Sequence, residues 1–370
     1  MNKGEAAEVY VWLRLALDRE LVGAFHDLQP WTSKQWPILR IVHSTAGQHR
    51  EIEIASKRAS LVIPVTGKFA LSDTKLRDIA AEWLNAISRP EKLDSSVVGQ
   101  LENSLYAAFP ELRSSPGKGS NDKSDLYVTV EEPVQHLRLK YRRGLSVKSA
   151  IGSHPTLVNA SRLTRFRFRV SPSFVKRTAR QPESTLEHVR HADLTFDGLA
   201  LGEGDVQVST YENNLGTIDS QLPQILSWLL TERRESGEKM ISVLCDRIKA
   251  ANPLKLRTLE TYRIKILEFL VASALDMVPS KPWLGKFQAD GGVVIVRPDG
   301  SLATFFIVDA ELREQLDLFL FECAYLETPS RSKHDYGTVY KLDGSQCLDL
   351  CLQVRLKTSM PKKTASSRKK

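Results

Sequence analysis

The sequence predicts an α/β fold: a mixed central sheet flanked by helices, followed by a C-terminal half of helices and a β-hairpin. Three observations carry this. Apolar side chains recur at helical spacing near the N-terminus and again through the second half. Short runs of β-branched and aromatic residues, some strictly alternating, lie between them. Pro298-Asp299-Gly300 separates two further apolar runs, as a hairpin turn would.

Val9, Leu13, Leu17 and Leu21, with Trp12 and Phe25, predict a first helix over 3–28. Asn2 is positioned to cap it, and Glu5 and Glu8 fall in the first turns, where the helix dipole favours acids. Strands are expected at 38–42, 51–55 and 60–65, and helices at 71–87 and 97–109. The Ser, Gly, Pro and Asn of 113–123 predict an exposed loop. Strands come next at 125–130 and 139–149, and at 165–170, where Phe166 and Phe168 share one face and Arg165, Arg167 and Arg169 the other. Helices are expected at 218–230, 239–251 and 254–274, then strands at 292–297, 302–308, 339–342 and 348–355. There is no internal repeat and no long linker.

Composition narrows the function. No stretch has the ~18 uninterrupted apolar residues of a membrane span. The opening Met1-Asn2-Lys3-Gly4-Glu5 carries no apolar run ending in a small-residue cleavage site, which predicts a cytoplasmic protein. Cys245, Cys323, Cys347 and Cys351 have no partners at zinc-ligand spacing and are expected to be plain thiols. The net charge of +8 owes most to seven basic residues from Arg355 onward, where there is no acid. The informative asymmetry is local: from Pro133 to Pro182, twelve Lys or Arg occur without a single Asp or Glu, where roughly six acids would be average. That window predicts a positive surface for an anionic partner.

Metal-assisted hydrolysis of a phosphodiester needs carboxylates to hold a hard cation, and a fixed positive charge near the attacking water. Asp125 sits where a loop enters a strand, and Lys148 lies 23 residues later on the next strand with Ser146 on its face. A hairpin would bring the three together. On its own the spacing is weak evidence, and a loop Asp with a surface Lys explains it more simply.

Sequence blocks decide more. Asp122-Lys123-Ser124-Asp125, then Gly144-Leu145-Ser146-Val147-Lys148-Ser149, then Ile151 through Ser161 (IGSHPTLVNAS) resemble the HpaII-type restriction endonucleases, of the PD-(D/E)xK nuclease superfamily. Those carry similar KSD, GFSIKS and LGSPPTLLNAS blocks in the same order. Further matches run from Lys3-Gly4-Glu5 and Glu8, through Asn214-Leu215, Ile218-Asp219 and Leu222-Pro223, to Gly291-Gly292 and His334-Asp335-Tyr336. The resemblance implies a PD-(D/E)xK core and a Mg²⁺-dependent type II restriction endonuclease. It would cut double-stranded DNA at a short palindrome such as CCGG, leaving 5′-phosphate and 3′-hydroxyl ends. It also implies a cognate DNA methyltransferase in the same system; a two-fold site suits a homodimer, and a monomer nicking each strand in turn is equally compatible. By it, Asp125 is the metal-binding acid and Lys148 the catalytic lysine. Ser146 stands where the superfamily carries an acid, and no acid follows until Glu183. Glu5 and Glu8 are therefore the expected compensating ligands, with Asn159 a weaker one. The alternative is an inactive, modification-dependent or structure-specific DNA-binding relative.

On this reading residues 1–210 form the nuclease core and 211–356 a region completing the DNA cleft, with a disordered basic tail at 357–370; a single composite domain would serve equally. Arg142, Arg143, Asn159, Arg162, Arg165, Arg167 and Arg169 are the expected DNA contacts, with Arg331 and His334 as a candidate reading segment. His188 and His191 lack a third ligand and are expected to be a surface pair.

Overall fold

The structure, a computed structural model, describes residues 1–45, 48–55, 58–63, 67–110, 112, 124–134, 137–179, 182–201, 208–334 and 336–358. The elements run α1 (Lys3–Asp18), β1 (Glu20–Ala24), β2 (Pro30–Thr45), β3 (Gln48–Ala55), β4 (Arg58–Ile63), β5 (Gly67–Ala70), α2 (Asp73–Ser88), α3 (Ser95–Ala108), β6 (Leu126–Val134), β7 (Leu137–Ser149), β8 (Thr156–Val158) and β9 (Arg165–Val170). Then come α4 (Pro172–Thr178), β10 (Leu194–Leu199), α5 (Thr210–Ile218), α6 (Leu222–Ser236), α7 (Ile241–Ala251), α8 (Glu260–Ala274), β11 (Gly292–Val296), β12 (Leu302–Phe306), α9 (Ala310–Cys323), β13 (Ala324–Leu326), α10 (Arg331–His334), β14 (Val339–Leu342), β15 (Ser345–Cys351) and β16 (Val354–Leu356). The mixed α/β class and central mixed sheet are as the sequence predicts.

Two compact units emerge. The first holds Met1–Pro155, Ala274–Asp276 and Phe287–Leu318. Its nine-stranded sheet runs β1-β12-β11-β7-β6-β2-β3-β4-β5, and a further β1–β2 pairing closes the first six strands into a circuit. β11 is parallel to β7 and β12 to β1; the other pairings are antiparallel. α1 is buried on most of its surface, from Ala6 through Trp12 to Ala16, among side chains of the sheet, α2 and α3. A helix apolar on most sides belongs in a core.

α1 ends at Asp18, ten residues short of the expected length. Arg19 takes a left-handed conformation (φ 62°) and its N–H closes the helix on the Leu15 carbonyl. Leu21 keeps the helical period, yet Glu20–Ala24 pairs with β2 and β12 instead. Sheet pairing outweighs the local pattern here.

The hairpin of β6 and β7 sets the position of the expected catalytic residues. Leu126 pairs with Leu145, so Asp125, one residue before β6, lies beside Ser146. On its other edge β7 pairs with β11, Val293 opposite Ser146 and Ile295 opposite Lys148. Gly144 is needed for this close packing. A Cβ there would lie 2.2 Å from Ser124 Oγ and 2.4 Å from the Gln288 carbonyl oxygen, atoms themselves hydrogen-bonded at 2.6 Å.

The second unit holds Thr156–Ser273, Met277–Lys286 and Phe319–Lys370. It contains an antiparallel sheet β10-β9-β15-β14 and a smaller one, β13-β16-β8. α6 packs on β10 and β15. The helix expected over 218–230 is α6, which begins at Leu222, and α5 before it was not foreseen. The helix expected from 254 begins at Glu260, because Asn252 turns left-handed (φ 41°) and holds the loop after it through Leu256 N and Tyr262 OH. α9 was not foreseen. Lys357, assigned by sequence to the tail, still donates its N–H to the Cys323 carbonyl. The rest of that tail, 359–370, and the expected loop over 113–123 lie outside the described residues.

Candidate active site

Four of the five residues expected to carry chemistry meet in the first unit. The Val147 N–H donates to Asp125 Oδ2 at 2.6 Å, fixing the carboxylate against β7. Lys148 Nζ donates to Ser146 Oγ at 2.7 Å, as two side chains on one strand face can. Glu8, on α1, lies close enough to Lys148 and Asp125 for their charges to act on one another. Glu5 is a turn earlier. Its side chain accepts from the Asn2 N–H at 2.8 Å in a capping box, while its charge still bears on Glu8.

The electrostatics are those of an acid cluster held away from water. Burial first, then Glu5, pushes the Glu8 carboxyl up to about 7, against the pull of Lys148. Burial likewise raises Asp125 to about 6; Lys148 opposes this, Glu8 adds to it, and the bonds from Val147 and Ser146 restrain it.

A fifth participant comes from far along the chain. Asp276 Oδ1 accepts from Ser146 Oγ at 3.1 Å, and its charge also reaches Glu8. Its backbone is left-handed (φ 77°), a conformation uncommon for a non-glycine residue and tolerated best by Asn and Asp. Ser146, fully buried, has one hydroxyl proton and two carboxylates, Asp125 and Asp276, within its reach. A carboxylate thus stands 3.1 Å from the Ser146 hydroxyl. Sequence offered no signal for it, because Asp276 is 130 residues from Ser146.

His43 is the other unforeseen neighbour. It is 1% exposed, with Nε2 3.6 Å from Glu8 Oε2 and Nδ1 3.5 Å from Arg50. Burial, then Arg50, lowers its pKa to about 3, so the ring is neutral. Arg50 facing Nδ1 leaves the ring proton on Nε2, towards Glu8.

Asp290 secures the hairpin edge. It accepts from Arg143 NH1 and from the Gly144 N–H, each at 2.8 Å. Arg142 lies over the Tyr127 ring, 4.3 Å from its centroid.

The remaining expected DNA contacts belong to the second unit, and most converge. Arg162, Arg165 and Arg167 line a cavity of about 630 Å³ with Tyr336, Tyr340 and Asp349. Arg331 NH2 donates to the carbonyl of Gly337, another wall residue, and the charge of Arg165 reaches His334. Arg169 stands apart, paired with Asp197 at 2.7 Å, and Asn159 is exposed. The alternation of β9 holds: Phe166 and Phe168 are buried, while arginines occupy the other face. His191 stacks on Trp228 and meets Glu232 at 3.1 Å, as suits a structural side chain.

The model of the HpaII restriction endonuclease family matches residues 2–356. The chain belongs to the HpaII restriction endonuclease family. It is therefore a type II site-specific endonuclease, acting on double-stranded DNA. Type II restriction enzyme HpaII of Haemophilus parainfluenzae is 25% identical over 361 residues, 96% of this chain and 98% of that one. No solved structure matches. No helix among the described residues is long and apolar enough to cross a membrane.

Restriction endonucleases of this type generally use a divalent metal, and the donor set fits a hard one. Glu8, Asp125, Asp276 and Ser146 offer oxygens only. The raised carboxyls mark negative charge that a cation would relieve. Among the described residues no three Asp, Glu, His or Cys side chains are grouped to hold a metal ion. Magnesium does not require that, since one or two carboxylates with water and substrate phosphate complete its shell.

Proposed function

We propose that this HpaII-family enzyme is a Mg²⁺-dependent nuclease with a PD-(D/E)xK-like core, cutting duplex DNA at a short palindrome and leaving 5′-phosphate and 3′-hydroxyl ends. The observation that carries the reading is the Lys148–Ser146–Asp276 chain beside Asp125 and Glu8. It supplies a carboxylate where Ser146 has none, which supports an active enzyme over an inactive relative.

Asp125 and Asp276 are the carboxylates that would hold the metal, and the charge of Glu8 acts on the site from beside them. Bound there, magnesium would polarise the scissile phosphate and acidify the attacking water. Lys148, positioned by Ser146 beside the acids, stabilises the negative charge that builds on the phosphate. Ser146 orients rather than ligates. Arg162 and Arg165 take phosphates, fixing the duplex without reading it. CCGG, the site expected from the family resemblance, is the first palindrome to test. A cognate methyltransferase, a cytoplasmic location and a homodimer on a two-fold site complete the reading.

The test is incubation with unmethylated phage DNA and Mg²⁺, beside Asp125→Ala and Lys148→Ala proteins. Discrete fragments lost in both variants, with mapped ends at one palindrome, are expected. Duplex binding without cleavage in Mg²⁺ and in Mn²⁺ would return the inactive reading.

A further inference from the structure

The arginine face of the second unit is not uniform. The sheet register explains why. Asp349 sits directly opposite Arg167 across β15 and β9, and Tyr340 opposite Cys347 across β14 and β15. Tyr340 therefore lies diagonal to Asp349 on the face that carries Arg165 and Arg167. Three side chains interlock there. Arg167 Nε donates to Tyr340 OH at 3.0 Å, and Tyr340 OH donates to Asp349 Oδ1 at 2.8 Å. Arg167 Nε is 3.9 Å from the same carboxylate oxygen. Gly337 shapes the wall beside them: its φ is 81°, and a Cβ would lie 2.8 Å from Leu186.

This arrangement does two things to Arg167. It anchors the guanidinium by its Nε edge, while NH1 and NH2 make no hydrogen bond among the described residues, in a side chain that lines the cavity. It also sets a nearly buried carboxylate against the positive charge. A phosphate contact draws on net positive charge, and a carboxylate this close subtracts from that charge. A base reader needs direction more than net charge: a fixed fork of two parallel N–H donors matches O6 and N7 of guanine in the major groove.

We infer that Arg167, locked by Tyr340 and Asp349, reads the O6 and N7 edge of one guanine in the recognition sequence, while its neighbours Arg162 and Arg165 hold phosphates. The inference rests on the proposed endonuclease function and assigns sequence discrimination to the second unit.

The test uses the full chain made cleavage-deficient by Asp125→Asn, and duplexes carrying the mapped site. Each guanine is replaced in turn by 7-deazaguanine, which lacks N7, and each base pair by the other three. In the parent, one 7-deazaguanine position is expected to weaken binding roughly tenfold to a hundredfold. That same replacement costs nothing further once Arg167→Ala is added. Arg167→Lys, which keeps the charge and loses the fork, behaves as Arg167→Ala does. Tyr340→Phe, which keeps the arginine and frees its anchor, weakens discrimination at that base pair alone. Unchanged thermal unfolding of each variant separates these losses from misfolding.

Equal weakening of every duplex by Arg167→Ala, with a shallower salt dependence, makes Arg167 a phosphate contact and overturns the inference. So does a 7-deazaguanine penalty that persists in full without Arg167. In both cases the parent still prefers its site, and the endonuclease reading stands. A parent that binds all duplexes alike removes that reading and the inference together.

Discussion

In the first unit, Glu8, Asp125 and Asp276 share a largely dehydrated site with Lys148, and two of the three carboxyls are raised by it. In the second, arginines line an open cavity on a sheet face, with one nearly buried carboxylate, Asp349, set against Arg167 and bonded to Tyr340. The same types of charged group thus do opposite work. Acids crowded out of water store a demand for a cation. Arginines left towards water store a demand for an anion or for acceptors of hydrogen bonds. On the proposed reading, hydrolysis of DNA uses both, each from a different part of the chain. The lesson concerns solvation: the sign of a residue says less about its role than whether its counter-charge is already present.

The contrast can be broken at its strongest point first. Lys148→Ala removes the ammonium of the acid site, and single-turnover cleavage should fall by on the order of a thousandfold, with duplex affinity held within a few-fold. A parallel loss of binding would mean that the acid site is chiefly a DNA contact.

Next comes Asp276→Asn, expected to cost about a hundredfold in cleavage and to weaken Mg²⁺ binding measured by calorimetry on DNA-free protein. Ser146→Asp combined with Asp276→Ser moves the carboxylate to the superfamily position and should restore part of the loss. No recovery, together with unchanged Mg²⁺ affinity, would make Asp276 structural.

On the arginine face, Arg162→Ala should weaken binding to all sequences alike and lower the salt slope by about 1. Arg169→Ala should change less, since its charge is met by Asp197. Equal effects at the two positions would erase the distinction between the cavity arginine and the one paired with Asp197.

The smallest effect is the most diagnostic of solvation. Glu8 titrates near 7 in the folded protein against an ordinary value of 4.5. Between those values the native state binds more protons than the unfolded one, so stability falls as the pH rises through about 7. In protein stripped of divalent metal, Glu8→Gln should therefore raise the Tm at pH 8 by about 2–4 °C. The gain should shrink as the pH is lowered towards 4.5, and added Mg²⁺ should narrow it. A wild type as stable as the variant at pH 8 would show that Glu8 is not held in an unfavourable environment.

Much of the candidate site was legible because a hairpin is local. Once β6 and β7 pair, Leu126 opposite Leu145, residues 125 and 146 must be neighbours, and Lys148 comes with them through the two-residue period of a strand. Glu8 was reached by asking which acid could replace the one missing at Ser146. The alternation of Phe166 and Phe168 with three arginines likewise fixed which face of β9 meets solvent. Asp276, His43 and the Tyr340–Asp349 anchor were not legible. Each meets its partner through packing or pairing of segments that lie far apart, 173 residues in the case of Arg167 and Tyr340. No spacing rule spans such a loop. The overlong first helix failed because Leu21 satisfied the helical period while Glu20–Ala24 pairs with β2 just after it, and with β12 through Gly23 and Thr304.

By itself, then, the sequence determined those features that local periodicity and matched blocks can specify: the α/β class, the Asp125–Lys148 hairpin, the two faces of β9, and the HpaII family resemblance. Only the tertiary structure decided which acid stands beside Ser146 and which arginine is anchored. Those outcomes depend on burial and on partners brought in from distant segments. The chain encodes such contacts only through the fold as a whole.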